Sequence, residues 1–268
     1  MSKPFAPYSL VAFNAAKASE NKMHDDTVAK KFGFSGGLVP GVDVFAYMSH
    51  APLDVWGKAF LERGHMEGRF GKPLYDGETA TVTAVERDGG LDIQIESRGV
   101  ICGTGRATMP AAAPAIALDD FEMSTPPDND HRPPADERSY KVGNWLNIRP
   151  YRMTEEMQAD YLKSICEADP IYAKEGIIHS GTILRCCNWA LTHNAKMGPW
   201  IHVGSTIQHL RPGHVGDEIS VRAKVAKNYE NKGHKIVELD ALVLVNGTTP
   251  IARVAHAAIY EPRQVRAA

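Results

Sequence analysis

Two short stretches of this chain hold side chains able to move protons. The first, SENKMHDDTVAKKFGFSGGLVPGV from Ser19 to Val42, sets His24 among acids and Asn21, just ahead of a glycine-rich turn and a long apolar run. Histidine is the side chain whose ordinary pKa suits proton transfer near neutrality. His24 therefore reads as a general acid or base with Asn21 orienting it or binding nearby, or as a surface histidine paired with Asp25 or Asp26 at a short helix start. Asp43, two residues past Gly41, could face the same cleft; equally it could be a solvated acid suited to a helix N-terminus. The second stretch holds Glu167 and Asp169. Two carboxylates so close in sequence could share a site and raise one pKa into the range of a general acid or base. The other reading is a helix end followed by a turn at Asp169-Pro170.

The remaining reactive residue types imply structure. Cys102, Cys166, Cys186 and Cys187 have no C-x-x-C spacing, so they read as buried reduced thiols. Cys186, Cys187 and Asn188 fall inside a helical pattern, where packing explains the cysteines better than nucleophilic catalysis. His202, His209 and His214 lie along a strand and its turn at spacings that match no metal site, so no metal is expected. No Gly-x-Gly-x-x-Gly or Walker-type loop occurs, so no nicotinamide, flavin or ATP cofactor is expected.

The elements that must position these side chains come in two sets. The chain has 268 residues, 43% hydrophobic and 23% charged, with a formal net charge of −2. That suits a soluble protein with a full core and offers no basic face to nucleic acid or an anionic membrane. No run of 18 apolar residues occurs and the N-terminus lacks a signal-peptide core, so a cytoplasmic protein is the expectation. A proline-rich, acidic stretch, residues 111–139, reads as a linker or surface strap between an N-terminal repeat (1–110) and a C-terminal repeat (140–268). In the first repeat, GLVPGVDVFAYMSHAPLDVWGKAFL is apolar on all sides, as a buried helix would be. Alternating segments with turn signals at Asp76-Gly77 and Asp88-Gly89-Gly90 follow and read as antiparallel strands. In the second, HSGTILRCCNWALTHNAKM is the helix, and four strands follow it. A long helix and then antiparallel strands, twice, is an internal duplication of one α+β unit.

This order resembles the hotdog fold, and the duplication resembles the double hotdog of MaoC-like hydratases and dehydratases. Those enzymes carry a signature reading Gly-Asp-any-Asn-Pro-Ile-His, followed by a glycine turn into the central helix. In YRMTEEMQADYLKSICEADPIYAKEGIIHSG, Glu167 falls at the aspartate, Asp169 at the asparagine, Pro170 and Ile171 match, and Tyr172 replaces the histidine. In the first repeat Ser19 falls at the aspartate, Asn21 matches, Lys22 and Met23 stand for Pro-Ile, and His24 matches. The resemblance implies hydration or dehydration of an acyl thioester. That chemistry needs an acid or base and a donor to the thioester carbonyl, which the N-terminus of a central helix can supply. Candidate donors are Gly36, Gly37 and Gly41 at one helix start and Gly181 at the other, where the preceding His179 either serves the substrate site or only caps the helix.

Neither repeat keeps the aspartate–histidine pair, so three functions stay open. One is a hydro-lyase acting on enoyl- or 3-hydroxyacyl-CoA-like substrates, with His24 as acid/base. The second is an acyl-CoA thioesterase in which Asp43 or Glu167 activates water. The third is a non-catalytic acyl-binding subunit. Tyrosine is a poor proton shuttle near neutral pH, which favours the His24 site over the one at Tyr172. Trp189, Trp200 and the apolar helices suit a buried acyl or aryl group. Acyl-CoA would be substrate rather than cofactor, and the resemblance implies a homodimer.

Overall fold

The computed structural model describes residues 5–266. The chain runs from strand β1 (Tyr8–Val11) through a 3-10 turn (Lys22–His24) and helix α1 (Asp26–Lys31) into helix α2 (Gly41–Trp56). Val42, Phe45, Tyr47, Met48 and Leu53 of α2 are all buried, which is why the run shows no polar face. The expected single helix breaks at Gly57, whose φ of 59° only glycine adopts at little cost, and resumes as α3 (Lys58–Arg63). Strands β2 (His65–Phe70), β3 (Thr79–Arg87), β4 (Gly90–Ser97) and β5 (Val100–Thr108) complete the first repeat.

The second repeat follows the same plan. Short strands β6 (Trp145–Asn147) and β7 (Tyr151–Arg152) lead through helices α4 (Glu155–Ser164) and α5 (Pro170–Glu175) to the central helix α6 (Ser180–Thr192). Then come β8 (Ile201–His209), β9 (Glu218–Asn231), β10 (His234–Val245), β11 (Thr249–Glu261) and a terminal turn of helix α7 (Arg263–Arg266).

Among the described residues eleven strands form one sheet in the order β1-β3-β4-β5-β2-β8-β11-β10-β9-β6, with β7 also on β9. The repeats join where β2 pairs antiparallel with β8, Met66 opposite Ile207 and Gly68 opposite Ser205. Joining at these strands removes one exposed edge from each repeat. Helices α2 and α6 lie together under the continuous sheet, so close that a β-carbon on Gly181 would stand 2.9 Å from that of Ala46. This is the double-hotdog architecture expected from the sequence.

The proline-rich stretch is a strap laid on the outer face of the second repeat. Phe121 packs there with Leu242 and Leu244 of β10, and its carbonyl accepts a hydrogen bond from Arg222 at 2.9 Å. The strap covers apolar side chains that the sheet turns away from α6. Phe121→Ala is expected to lower unfolding stability by about 3 kcal/mol, the usual size for a truncated buried phenylalanine, measured by urea titration.

Candidate functional site

The loop before α1 is held by its own polar side chains. Asn21 caps the 3-10 turn by accepting from the Met23 amide at 3.2 Å, which drops Met23 into a small cluster with Ala29 and Leu38. Asp25 caps α1 through the amides of Thr27 and Val28, and Asp26 accepts from the Gly37 amide at 2.7 Å. Both acids are thus spent on backbone, and the reading of His24 as their surface partner does not hold. A β-carbon on Gly37 would lie 2.2 Å from the His24 carbonyl oxygen, so only glycine lets the turn fold back on the loop.

His24 itself has both ring nitrogens engaged. Nδ1 lies 2.7 Å from the Leu38 carbonyl and Nε2 lies 3.1 Å from Asn21 Nδ2. A carbonyl can only accept, so Nδ1 carries the proton and the Nε2 lone pair faces Asn21. The orientation of the Asn21 amide is fixed from the second repeat: its oxygen accepts from the Trp200 amide at 3.1 Å and its nitrogen donates to the Trp200 carbonyl at 3.0 Å. Burial lowers the His24 pKa, with the charge of Arg185 adding to that, while the Leu38 carbonyl and Asp43 oppose it. The ring is therefore neutral at pH 7, with its basic nitrogen at Nε2.

Two cavities meet at this ring. One, of about 270 Å³, is walled by Phe32, Phe34, Leu38, Val44, Phe70 and Ile259. The other, of about 410 Å³, is a more polar vestibule bordered by Ser19, Glu20, Asn129, Arg132, Arg185 and His193. Asn21, His24, Pro40, Asn188 and Trp200 border both, so His24 stands at the waist between an apolar chamber and a polar one. Gly41, the first residue of α2, also lines the apolar chamber. A β-carbon there would lie 2.7 Å from His202 Nδ1, so glycine allows α2 to start against β8. The cap residue of α2 is Pro40, which offers no side-chain acceptor to the first-turn amides.

Asp43 belongs to a different arrangement. It is 1% exposed and bonded to Arg185 Nη2 at 3.0 and 3.2 Å and to the Tyr161 hydroxyl at 3.2 Å, with the guanidinium 4.4 Å above the Tyr161 ring. It is neither a solvated acid nor part of either cavity wall. Its charge reaches His24 only as a background field offset by Arg185.

The corresponding region of the second repeat is filled. Glu167 is buried against His50 of α2, whose Nδ1 lies 3.1 and 3.2 Å from its two oxygens, and stands 3.8 Å from His179 Nε2. The second distance is too long for a hydrogen bond, so it is an electrostatic contact. Burial would raise the Glu167 pKa, but these two imidazoles outweigh it and hold the carboxyl well below the usual range. Burial pushes His50 down, yet Glu167 carries its pKa above the ordinary value. The expectation that Glu167 and Asp169 share a site and raise one pKa is overturned. The Asp169 side chain caps α5 through the Ile171 amide, and its backbone amide donates to Glu167 at 2.8 Å. Tyr172 is buried with its ring 4.7 Å from that of His179.

At this end a side chain takes one of the helix donors. The Gly181 amide donates to His179 Nδ1 at 3.0 Å, so α6 is capped by its own histidine. Of the candidate glycines, Gly41 borders the apolar chamber and the others line neither cavity; Gly36 and Gly37 shape the turn before α2, and Gly181 serves helix packing. Cys166, at the signature's glycine position, has φ of 54° and is exposed, unlike Cys102, Cys186 and Cys187, which are buried. Among the described residues no three His, Cys, Asp or Glu side chains converge as a metal site, and no helix is long and apolar enough to cross a membrane.

Sequence reasoning missed His50, Arg185, Asn188 and His256. A signal for two of them existed: Arg185 and Asn188 are polar residues inside an otherwise apolar helix, and such residues require partners.

No family model matches the chain, and no curated protein matches its sequence. Its fold is shared with solved structures. A MaoC domain protein of Chloroflexus aurantiacus, named as a dehydratase, superposes with a TM-score of 0.62 at 11% identity, over 98% of this chain and 95% of that one. A conserved protein of Mycobacterium tuberculosis described as a double hotdog gives 0.65 at 13% identity, over 97% and 96%. A tesB protein of Mycobacterium avium subspecies paratuberculosis gives 0.52 at 8% identity, over 97% and 96%. The chain is a double hotdog, a fold that carries both dehydratase and thioesterase names.

Proposed function

We propose that this double-hotdog chain is a hydro-lyase that adds water to, or removes it from, the double bond of an acyl thioester of the enoyl- or 3-hydroxyacyl-CoA type, with His24 as the acid/base. The observation that carries this reading is the placement of a neutral histidine, bearing an unprotonated Nε2, at the waist between an apolar and a polar cavity. The apolar chamber suits the acyl chain and the vestibule suits the thioester's carrier.

Hydration then proceeds with every atom accounted for. A water displaces Asn21 at His24 Nε2; Asn21 keeps Trp200 as a partner, so this costs little. Nε2 takes one proton from that water as its oxygen bonds to the β-carbon, and charge collects on the thioester oxygen. The N-terminus of α2, where Gly41 borders the apolar chamber, is the backbone donor assigned to that charge. The imidazolium returns its proton to the α-carbon, and the product is the 3-hydroxyacyl thioester. Dehydration is the reverse.

Thioester hydrolysis by Asp43 or Glu167 has less support, because both are buried in ion pairs and neither borders these cavities. The test is a spectrophotometric assay over a panel of enoyl-CoA thioesters of increasing length. Loss of the conjugated absorbance supports the reading, and no loss across the panel contradicts it. The same assay checks the state of His24. Its lowered pKa places the acid limb of kcat/KM below pH 6.5, with the rate falling as pH drops through the limb. A limb above pH 6.5 would assign the base to another group.

A further inference from the structure

A buried polar chain runs from the waist into the sheet. Asn188 Oδ1 of α6 lies 2.8 Å from His256 Nε2 of β11. His256 Nδ1 lies 2.8 Å from the Ser205 hydroxyl of β8, and that hydroxyl lies 2.8 Å from His202 Nε2. The two imidazoles stack at 4.3 Å, and His202, Ser205 and His256 are each at least nine-tenths buried. Burial holds His202 at about 3 and His256 well below its ordinary value, so both rings are neutral.

Neutral rings give the chain a direction. The amide oxygen of Asn188 can only accept, so His256 Nε2 carries the proton and Nδ1 accepts from Ser205. The Ser205 oxygen then accepts from His202 Nε2–H, which leaves His202 Nδ1 as a bare lone pair. That nitrogen has no hydrogen-bond partner in the structure. The carbonyls of Gly41 and Gly204 lie near this ring, so the direction is set at the other end of the chain, where the Asn188 oxygen meets His256. The Asn188 amide has its oxygen on His256, which leaves its nitrogen for the cavities. Among the described residues no group accepts from that nitrogen, and Asn188 borders both chambers with His24.

We propose that Asn188 is a catalytic residue that donates an amide N–H to the thioester carbonyl, and that His256, Ser205 and His202 are positioning residues that hold it in the donating orientation. This rests on the hydro-lyase reading. The arrangement makes the site composite: the first repeat supplies the base and the second supplies the donor. A donor fixed before the substrate arrives needs no reorganisation as charge develops on the carbonyl oxygen.

The test uses the full chain and two measurements. The first is kcat and KM for enoyl-CoA hydration in the wild type, Asn188→Ala, Asn188→Asp, Ser205→Ala and the Asn188→Ala/Ser205→Ala double variant. The second is the absorbance of bound 4-dimethylaminocinnamoyl-CoA, whose band moves to the red when its carbonyl is polarised. Asn188→Asp keeps an acceptor for His256 and puts a carboxylate oxygen where the N–H was, so a variant that folds as the wild type does and loses the red shift shows that the position requires a donor. Both Asn188 variants are expected to lose kcat by about a hundredfold to a thousandfold, with KM little changed and the red shift abolished. Ser205→Ala is expected to lose about tenfold in kcat, and nothing further once Asn188 is alanine. Wild-type kcat and red shift in Asn188→Asp would overturn the donor. Additive losses in the double variant would overturn the relay. A wild type that neither turns over enoyl thioesters nor binds the probe would overturn the lyase reading itself, and the proposal with it.

Discussion

Replacing His24 by alanine is expected to lower kcat/KM for enoyl-thioester hydration by roughly a hundredfold to ten-thousandfold while leaving the fold in place, the range typical of a lost general base. The loss should fall on kcat. In the hydro-lyase reading His24 contributes a lone pair that acts only as the proton moves, whereas the aromatic walls of the apolar chamber hold the acyl chain. Fold retention is expected because the loop is anchored through its neighbours. The His24 carbonyl accepts from Asn14 at 2.9 Å, Met23 is buried, and Asn21 binds Trp200 across the repeats, all independently of the imidazole. His24→Gln tests the same point at closer shape, since a glutamine can occupy the space without acting as a base. Thermal denaturation beside kinetics separates the two effects. Wild-type turnover in either variant would remove His24 from the mechanism.

The opposite pattern is expected at Glu167. Glu167→Ala should cost about 3 kcal/mol of stability, because it breaks a buried pair with His50 and strips the Asp169 amide of its acceptor. Once folded, the variant should turn over within about threefold of the wild type, because Glu167 lies off the cavities that meet at His24. The pH dependence has a defined sign. Glu167 has a depressed folded pKa, so its contribution is present above the ordinary carboxylate value of 4.5 and is lost as pH falls through its folded pKa. His50 has a raised folded pKa, so its contribution is full below the ordinary imidazole value of 6.5 and is lost as pH climbs past it. The pair therefore stabilises most between these two values. Urea titrations of wild type and Glu167→Ala across that window should show their largest separation inside it; an equal separation at every pH would deny the ion pair.

The two repeats carry different residues on one plan, and that explains what the sequence revealed. The duplication was legible because it rests on local chemistry: positive-φ turns at Asp88 and Gly89, alternating strands, and a proline-rich strap between the repeats. The loop signatures were legible for the same reason, since Asn21 and Asp169 each cap the turn they begin. The partners of the buried charges were not. Glu167 meets His50 from 117 positions away, and Asp43 meets Arg185 from 142. Each pair joins a loop or helix of one repeat to the central helix of the other, a contact that only the fused fold creates. The polar chain through Asn188, Ser205 and His256 links α6 to two strands of the sheet and leaves no periodic trace. Which glycines served the site was equally hidden. Gly37 and Gly41 look alike in sequence, yet one turns its amide to Asp26 while the other opens the helix at the cavity.

The most direct test of the central claim is where water's oxygen ends up. Wild-type protein is incubated with an enoyl-CoA in water enriched in heavy oxygen, and the products are separated and weighed by mass spectrometry. The hydro-lyase reading expects one heavy oxygen on the β-carbon of an intact thioester, absent with His24→Ala. Heavy oxygen in a free carboxylate, with coenzyme A released, would contradict it and make the chain a thioesterase.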